Sequence, residues 1–240
     1  MNLKFFRTLV HAAAVPYRQT GRFAYHFARG KLGGDSIFRH LLESGVFPDQ
    51  AHFLDLGCGQ AVFAAWLVAA RAAFENGQWP ADCPTPPEIL SLHGIELMAL
   101  DVARAHQAFG DRHPHIHISQ GDIRVQTFPQ ANVLTILDVF QYIDFAAQEK
   151  ILHKVRHALP AGGLFVTRIG DAAAGLPFHL CNWVDWAATF VRGHRLPKLY
   201  CRPLNEWVDL LKNLGFQVET ASMSHGKPFA NVMLVARLPA

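Results

Sequence analysis

The hydrophobic pattern changes period along the chain in a regular way. Short apolar runs of strand length alternate with longer stretches whose apolar residues recur every three or four positions. That alternation belongs to a parallel sheet with helices packed against it. The short runs predict strands over His52 to Leu56, Ser91 to Glu96, His115 to Gln120, Asn132 to Asp138 and Gly163 to Ile169. The fourth is continuously apolar, as a strand buried on both faces of a parallel sheet is. Helices are predicted from about Ala61 to Asn76, Ala99 to Phe109, Phe145 to Leu159 and Leu204 to Leu214. An earlier helix starts at Asp35 as N-cap, runs through Ile37, Leu41 and Leu42, and ends near Gly45. Pro80, Pro84, Pro86 and Pro87 make Gln78 to Pro87 a loop. The last two runs, Phe216 to Ser222 and Asn231 to Leu238, flank Ser224-His-Gly-Lys-Pro and read as an antiparallel hairpin. The expected class is α/β, with five parallel strands and a C-terminal antiparallel pair.

Half of the 240 residues are apolar and 17% are charged, which fits a folded chain and not a disordered one. Every apolar stretch is too short or too broken to span a bilayer. Met1 to Ala14 loosely mimics a signal peptide, but His11 interrupts its short apolar core, so a cytoplasmic protein is expected. Cysteines at 58, 83, 181 and 201 form no Cys-x-x-Cys pair, which also fits a reducing compartment. His113-Pro-His115-x-His117 resembles a metal cluster only superficially, because Pro114 breaks it and a strand follows. No metal is expected.

Charge is uneven although the net value is only +3. Residues 1–31 hold Lys4, Arg7, Arg18, Arg22, Arg29 and Lys31 and no acid, with Phe5, Phe6, Tyr17, Phe23, Tyr25 and Phe27 interleaved. One reading is an amphipathic cap helix whose aromatics pack on the body and whose arginines face water. The other is a docking surface for something acidic: a carrier protein, a membrane surface or a nucleic acid. The two can coexist. An arm that serves only an acceptor or partner would be dispensable elsewhere.

The candidate chemistry centres on Phe53-Leu54-Asp55-Leu56-Gly57-Cys58-Gly59-Gln60-Ala61. Its order is strand, tight glycine turn, helix. Gly57 and Gly59 let the backbone turn sharply and approach a ligand, and the helix start offers N–H groups and a positive dipole end. Such loops hold nucleotide cofactors in open α/β sheets, at the carboxyl ends of the strands. Asp55, Glu96, Asp122, Asp138 and Arg168 occupy or closely follow those ends. Glu96 can accept from a ribose diol, Asp122 from an exocyclic amine, and Ile123 and Met98 can sandwich an adenine. Glu96 follows Gly59 by 37 residues, against about 20 in the dinucleotide fingerprint, and the proline-rich loop accounts for the excess.

Taken together these segments resemble the class I S-adenosylmethionine-dependent methyltransferases. Asp55-Leu-Gly-Cys-Gly looks like their first motif and Gly94-Ile95-Glu96-Leu97 like their ribose-binding motif. Gly121-Asp122-Ile123 is similar to their adenine-contacting motif, and Leu137-Asp138-Val139-Phe140-Gln141-Tyr142-Ile143 to the segment lining the methyl-donor site. Leu159-Pro-Ala-Gly-Gly-Leu looks like their approach to strand 5. The resemblance covers residues 35–240. It implies a Rossmann-like, seven-stranded, mostly parallel sheet in a methyltransferase domain over 51–240, with a helical, lid-like insert at 170–203; the residues ahead of it, 1–50, are expected to form a helical cap or arm. It implies S-adenosyl-L-methionine as cofactor, bound by Asp55, Gly57, Cys58, Gly59, Glu96, Leu97, Asp122, Ile123, Asp138 and Val139.

Transfer to a phenol or enol needs a base, for which Asp138, His179 and His194 are candidates, and Arg168 could stabilise a phenolate. Trp183, Trp186, Phe190 and Tyr200 of the insert suit a flat apolar acceptor. Arg22-Phe-Ala, Arg168-Ile-Gly-Asp171, Arg192-Gly-His-Arg195 and Pro228-Phe-Ala-Asn231 resemble methyltransferases of aryl polyene and related polyketide pigment pathways. That implies C- or O-methylation of a small aromatic or polyketide-like acceptor, free or tethered to an acidic acyl carrier protein. An RNA or protein methyltransferase using the basic arm is the alternative, as is a non-catalytic cofactor-binding relative. No Asn-Pro-Pro-Tyr-type motif follows strand 4, and nucleic acid is not the expected partner.

Overall fold

Asn2 starts the first helix, α1 (Leu3–Ala14), its side-chain oxygen accepting from Phe5 N at 2.9 Å. The helix buries Phe6, Leu9, Val10, Ala13 and Ala14 and turns Lys4 and Arg7 to water. Pro16 cannot donate the next helical bond, and a 3-10 turn over Val15–Thr20 replaces it. After Gly21, at φ 115°, the chain enters α2 (Arg22–Gly34). The cap is therefore two helices and a joint, not one helix. Phe6 and Tyr17 are buried, Phe5, Tyr25 and Phe27 half-buried, and Phe23 exposed, as are Arg18, Arg22 and Arg29. Next comes α3 (Ser36–Glu43), capped as expected by Asp35, which accepts from Ile37 N at 3.2 Å.

The computed structural model describes residues 1–174, 199–223 and 231–240. Their contacts gather into two units, Met1–Val133 and Leu134–Ala240. Of the seven strands among the described residues, three lie in the first unit, and the other four fall in the second apart from one terminal residue. In the first unit lie β1 (Gln50–Leu56), α4 (Val62–Glu75), β2 (Glu88–Glu96), α5 (Ala99–Phe109) and β3 (Ile116–Gln120). β1 and β3 both run parallel to β2, with Leu56 beside Ile95 and Glu96 beside Gln120, so the carboxyl ends finish together. β1 and β2 begin earlier than expected because Gln50 and Ala51 pair with Glu88 and Ile89 as soon as Pro87 ends the loop. α4 buries Phe63 and Trp66, and the Trp66 indole donates to Phe38 O at 2.8 Å.

The second unit holds β4 (Val133–Leu137, whose first residue closes the first unit), α6 (Phe145–Ala158), β5 (Leu164–Gly170), α7 (Leu204–Asn213), β6 (Gln217–Ser222) and β7 (Asn231–Arg237). β7 runs antiparallel to both β5 and β6, the hairpin expected from the pattern. β4 and β5 are almost wholly buried, whereas the edge strand β6 is mostly exposed. The Ser224-to-Pro228 connector falls outside the described residues. Among the described residues no helix is long and apolar enough to cross a membrane.

No helix forms between β3 and β4, and part of one sheet face in the first unit carries histidines. The His93 and His117 rings lie 5.2 Å apart across β2 and β3, and His52 Nδ1 sits 2.8 Å from Ser91 Oγ. Burial, then the neighbouring His117 and His52, holds His93 below its ordinary value of 6.5. Burial, then His115 and Arg112, does the same at His113. Below pH 6.5 the unfolded chain thus binds more protons than the folded one, and stability falls as pH drops. Thermal unfolding followed from about pH 8 to about pH 5 should show this decline, and His93→Gln should flatten it. An unchanged slope in that variant would show that His93 contributes nothing to it.

Candidate functional site

The loop after β1 is sewn to the end of β2. Gly57 N and Cys58 N donate to Ile95 O at 2.7 and 3.3 Å, and Ala61 N donates to Cys58 O at 2.9 Å. Gly57, Gly59 and Ala61 all take left-handed φ values, 72°, 57° and 62°. Glycine accepts this freely, while Ala61 bears a cost of about 1–2 kcal/mol. Ala61 thereby stands outside the helix, and α4 starts at Val62 with no side-chain cap. A Cβ at Gly59 would meet nothing within 4 Å, so this side of the loop is open.

Glu96 is buried at the carboxyl end of β2 and reaches back to that loop. Its Oε2 accepts from Gly59 N at 2.9 Å and its Oε1 from Met98 N at 2.8 Å. Each oxygen keeps acceptor capacity for a further donor. Gly94 is required two residues earlier: a Cβ there would lie 2.7 Å from Cys58 Sγ and 2.5 Å from Ile118 Cδ1. Burial, then the Asp55 and Glu96 carboxylates, pushes the Cys58 thiol well above its ordinary range. Cys58 is thus a neutral packing group and not a nucleophile. Asp55 is buried near the end of β1. Asp122 grips Arg124: Oδ1 accepts from Arg124 N and Nε, both at 2.9 Å, and Oδ2 from Nη2 at 2.6 Å. Ile123 is buried, Met98 half-buried and Leu97 exposed.

In the second unit Asp138 ends β4 at φ 61°, a conformation that shortens the strand by one residue from the expected end. Arg168 of β5 is buried and pairs with it twice, through Nε to Oδ1 at 2.6 Å and through Nη2 to Oδ2. Val139 leads into a 3-10 turn over Phe140–Tyr142. Gln148 of α6 is fully buried, with Nε2 2.9 Å from the carbonyls of Phe140, Ile143 and Tyr200. Its Oε1 accepts from Arg202 Nε at 3.0 Å.

No family model matches the chain. Over 118 residues it is 26% identical to carboxy-S-adenosyl-L-methionine synthase of Chromohalobacter salexigens, an alignment taking in 48% of this chain and 38% of that one. Human N-acetylserotonin methyltransferase, solved with S-adenosylmethionine, superposes with a TM-score of 0.60 at 14% identity, over 99% of this chain and 60% of that one. Magnesium protoporphyrin IX methyltransferase of Synechocystis, solved with S-adenosylhomocysteine, superposes with a TM-score of 0.59 at 14% identity, over 99% of this chain and all of that one (100%). The fold is that of the S-adenosylmethionine-dependent methyltransferases.

Within this methyltransferase fold the residues picked from sequence fall into two described groups. Gly57, Cys58, Gly59, Glu96 and Leu97 lie together at the paired ends of β1 and β2, and Asp138 and Arg168 form one ion pair. His179 and His194 lie outside the described residues, as do Trp183, Trp186 and Phe190. Tyr17, Gln60 and Gln148 were not singled out for a site, yet each is buried and its side chain bonds to backbone carbonyls, those of Gln60 for Tyr17, Ala24 for Gln60 and Phe140 for Gln148. A glutamine amid the apolar stripe of a predicted helix was the available signal for Gln148. Gln60 offered none beyond its place in the loop.

Proposed function

We propose that the chain is an S-adenosylmethionine-dependent methyltransferase that modifies a small aromatic or polyketide-like acceptor. The carrying observation is the buried Glu96 carboxylate bonded to Gly59 N at 2.9 Å, in a chain with the methyltransferase fold. An acid at this strand end can take a ribose diol while it holds the loop. N-acetylserotonin and magnesium protoporphyrin IX, in the names of the two solved structures, are small aromatic molecules, which supports that acceptor class. When bound, S-adenosylmethionine supplies a methyl group already activated on a sulfonium. The protein's work is then to hold, align and exclude water. Gly57, Cys58 and Gly59 form the turn, Asp55 backs it, and Leu97 and Ile123 supply apolar surface beside the Asp122 turn. Asp122 meets an exocyclic amine only when its grip on Arg124 opens. Arg168, oriented by Asp138, offers a fixed positive charge to a phenolate-like acceptor.

The exposed basic residues of α1 and α2 suit an acidic acyl carrier protein presenting the acceptor. Cysteines at 58, 83, 181 and 201 without a Cys-x-x-Cys pair suit a reducing cytoplasm. Calorimetry with S-adenosylmethionine and S-adenosylhomocysteine should show binding, and a labelled methyl group should reach members of a panel of phenols, free or carrier-linked. No binding of either nucleoside would end this reading. Binding without transfer to any small acceptor, but with transfer to RNA or protein, would replace the acceptor class.

A further inference from the structure

Tyr17 belongs to the 3-10 joint between the two N-terminal helices, yet its phenol reaches the glycine loop. It is fully buried and donates to Gln60 O at 2.8 Å. Gln60 answers with its side chain, Nε2 donating to Ala24 O of α2 at 2.8 Å. The peptide joining Gln60 to Ala61 is therefore held at both ends, its carbonyl by Tyr17 and its N–H by Cys58 O at 2.9 Å. The peptide before Gly59 is held by Glu96. These two planes set the shape of the turn and the direction in which α4 begins. Burial holds the Tyr17 phenol well above its ordinary range, so it stays a donor throughout the working pH range.

Gln60 does not look like a residue kept for stability. It is 1% exposed, and its Oε1 has no hydrogen-bond partner among the described residues. Burying such an oxygen unpaired costs on the order of 1–3 kcal/mol, which a methionine of similar shape would avoid. The Ala24 carbonyl lies inside a helix and keeps its own i+4 partner without Gln60. A costly amide retained at this point is understandable if it sets the loop.

We infer that Tyr17 and Gln60 are positioning residues of the donor site, which make the N-terminal helices part of that site rather than a detachable arm. The inference rests on the proposed donor. Its test is the affinity for S-adenosylhomocysteine, by calorimetry, of the full-length protein and of Tyr17→Phe, Gln60→Met and the double variant, with the melting temperature of each ligand-free protein. Each single variant should bind about three- to tenfold more weakly. The double variant should be no weaker than the worse single one, because both changes release the same peptide. Ligand-free Gln60→Met should melt no lower than the wild type. Unchanged affinity in both single variants overturns the inference while leaving the donor in place. So does a loss of affinity that merely follows a loss of melting temperature, or fully additive losses. A wild-type protein that binds no S-adenosyl ligand overturns the donor and the inference together.

Discussion

Glu96→Ala is expected to weaken S-adenosylmethionine binding by at least tenfold, about 1.4 kcal/mol, and to do so more than any other single change at the loop. Two losses combine. The carboxylate accepts from Gly59 N and Met98 N at 2.9 and 2.8 Å, and charge-assisted bonds of this kind contribute about 1.5–3 kcal/mol each. With the acid gone, the Gly59 amide loses its acceptor at the point where Gly59 takes φ 57°. The proposed ribose contact goes with it. Glu96→Gln should fall between wild type and alanine: one amide oxygen still accepts, while the amide nitrogen faces a backbone donor it cannot pair with. Calorimetry against S-adenosylhomocysteine decides the matter. Equal affinity in Glu96→Ala and wild type would remove Glu96 from the donor site.

What could be read from sequence was chemistry expressed locally. The end of a strand, a glycine turn and the approach to a helix lie within nine consecutive residues, and Glu96 closes the next strand, so the loop and its acid were both visible. Gly94 was visible as part of a motif, though not its cause, which is the Cys58 sulfur packed against it. The alternation of runs gave the sheet and its terminal hairpin because periodicity records burial directly. Contacts made across long separations left no such trace. Tyr17 meets Gln60 across 43 residues, and Gln148 meets Tyr200 across 52. The N-terminal aromatics read as packing or docking groups, and nothing in their spacing shows that one of them holds the loop. Ala61 shows a different limit: its left-handed backbone is imposed by the turn, against the preference of the residue.

Asp138 and Arg168 read from sequence as two separate strand-end groups, one a candidate base and the other a candidate anion binder. Their pairing across 30 residues changes the expectation for both. A carboxylate that receives two guanidinium bonds is occupied in orienting the arginine, so Asp138→Asn should keep measurable turnover and lose it mainly through a displaced Arg168. The stability effects should be unequal. Arg168 is 5% exposed and Asp138 27%, so removing the aspartate takes two bonds from the more deeply buried charge. Breaking a buried pair from one side costs about 3–5 kcal/mol, and Asp138→Ala should fall near 3 kcal/mol because the pair is partly open to water. Arg168→Met should cost less, since the aspartate left behind can be hydrated. The double variant should be more stable than Asp138→Ala alone, a coupling that denaturant unfolding of the four proteins measures. Equal and additive losses would show that the pair is not a unit. Normal stability in Asp138→Asn together with abolished turnover at saturating donor would return Asp138 to the role of base.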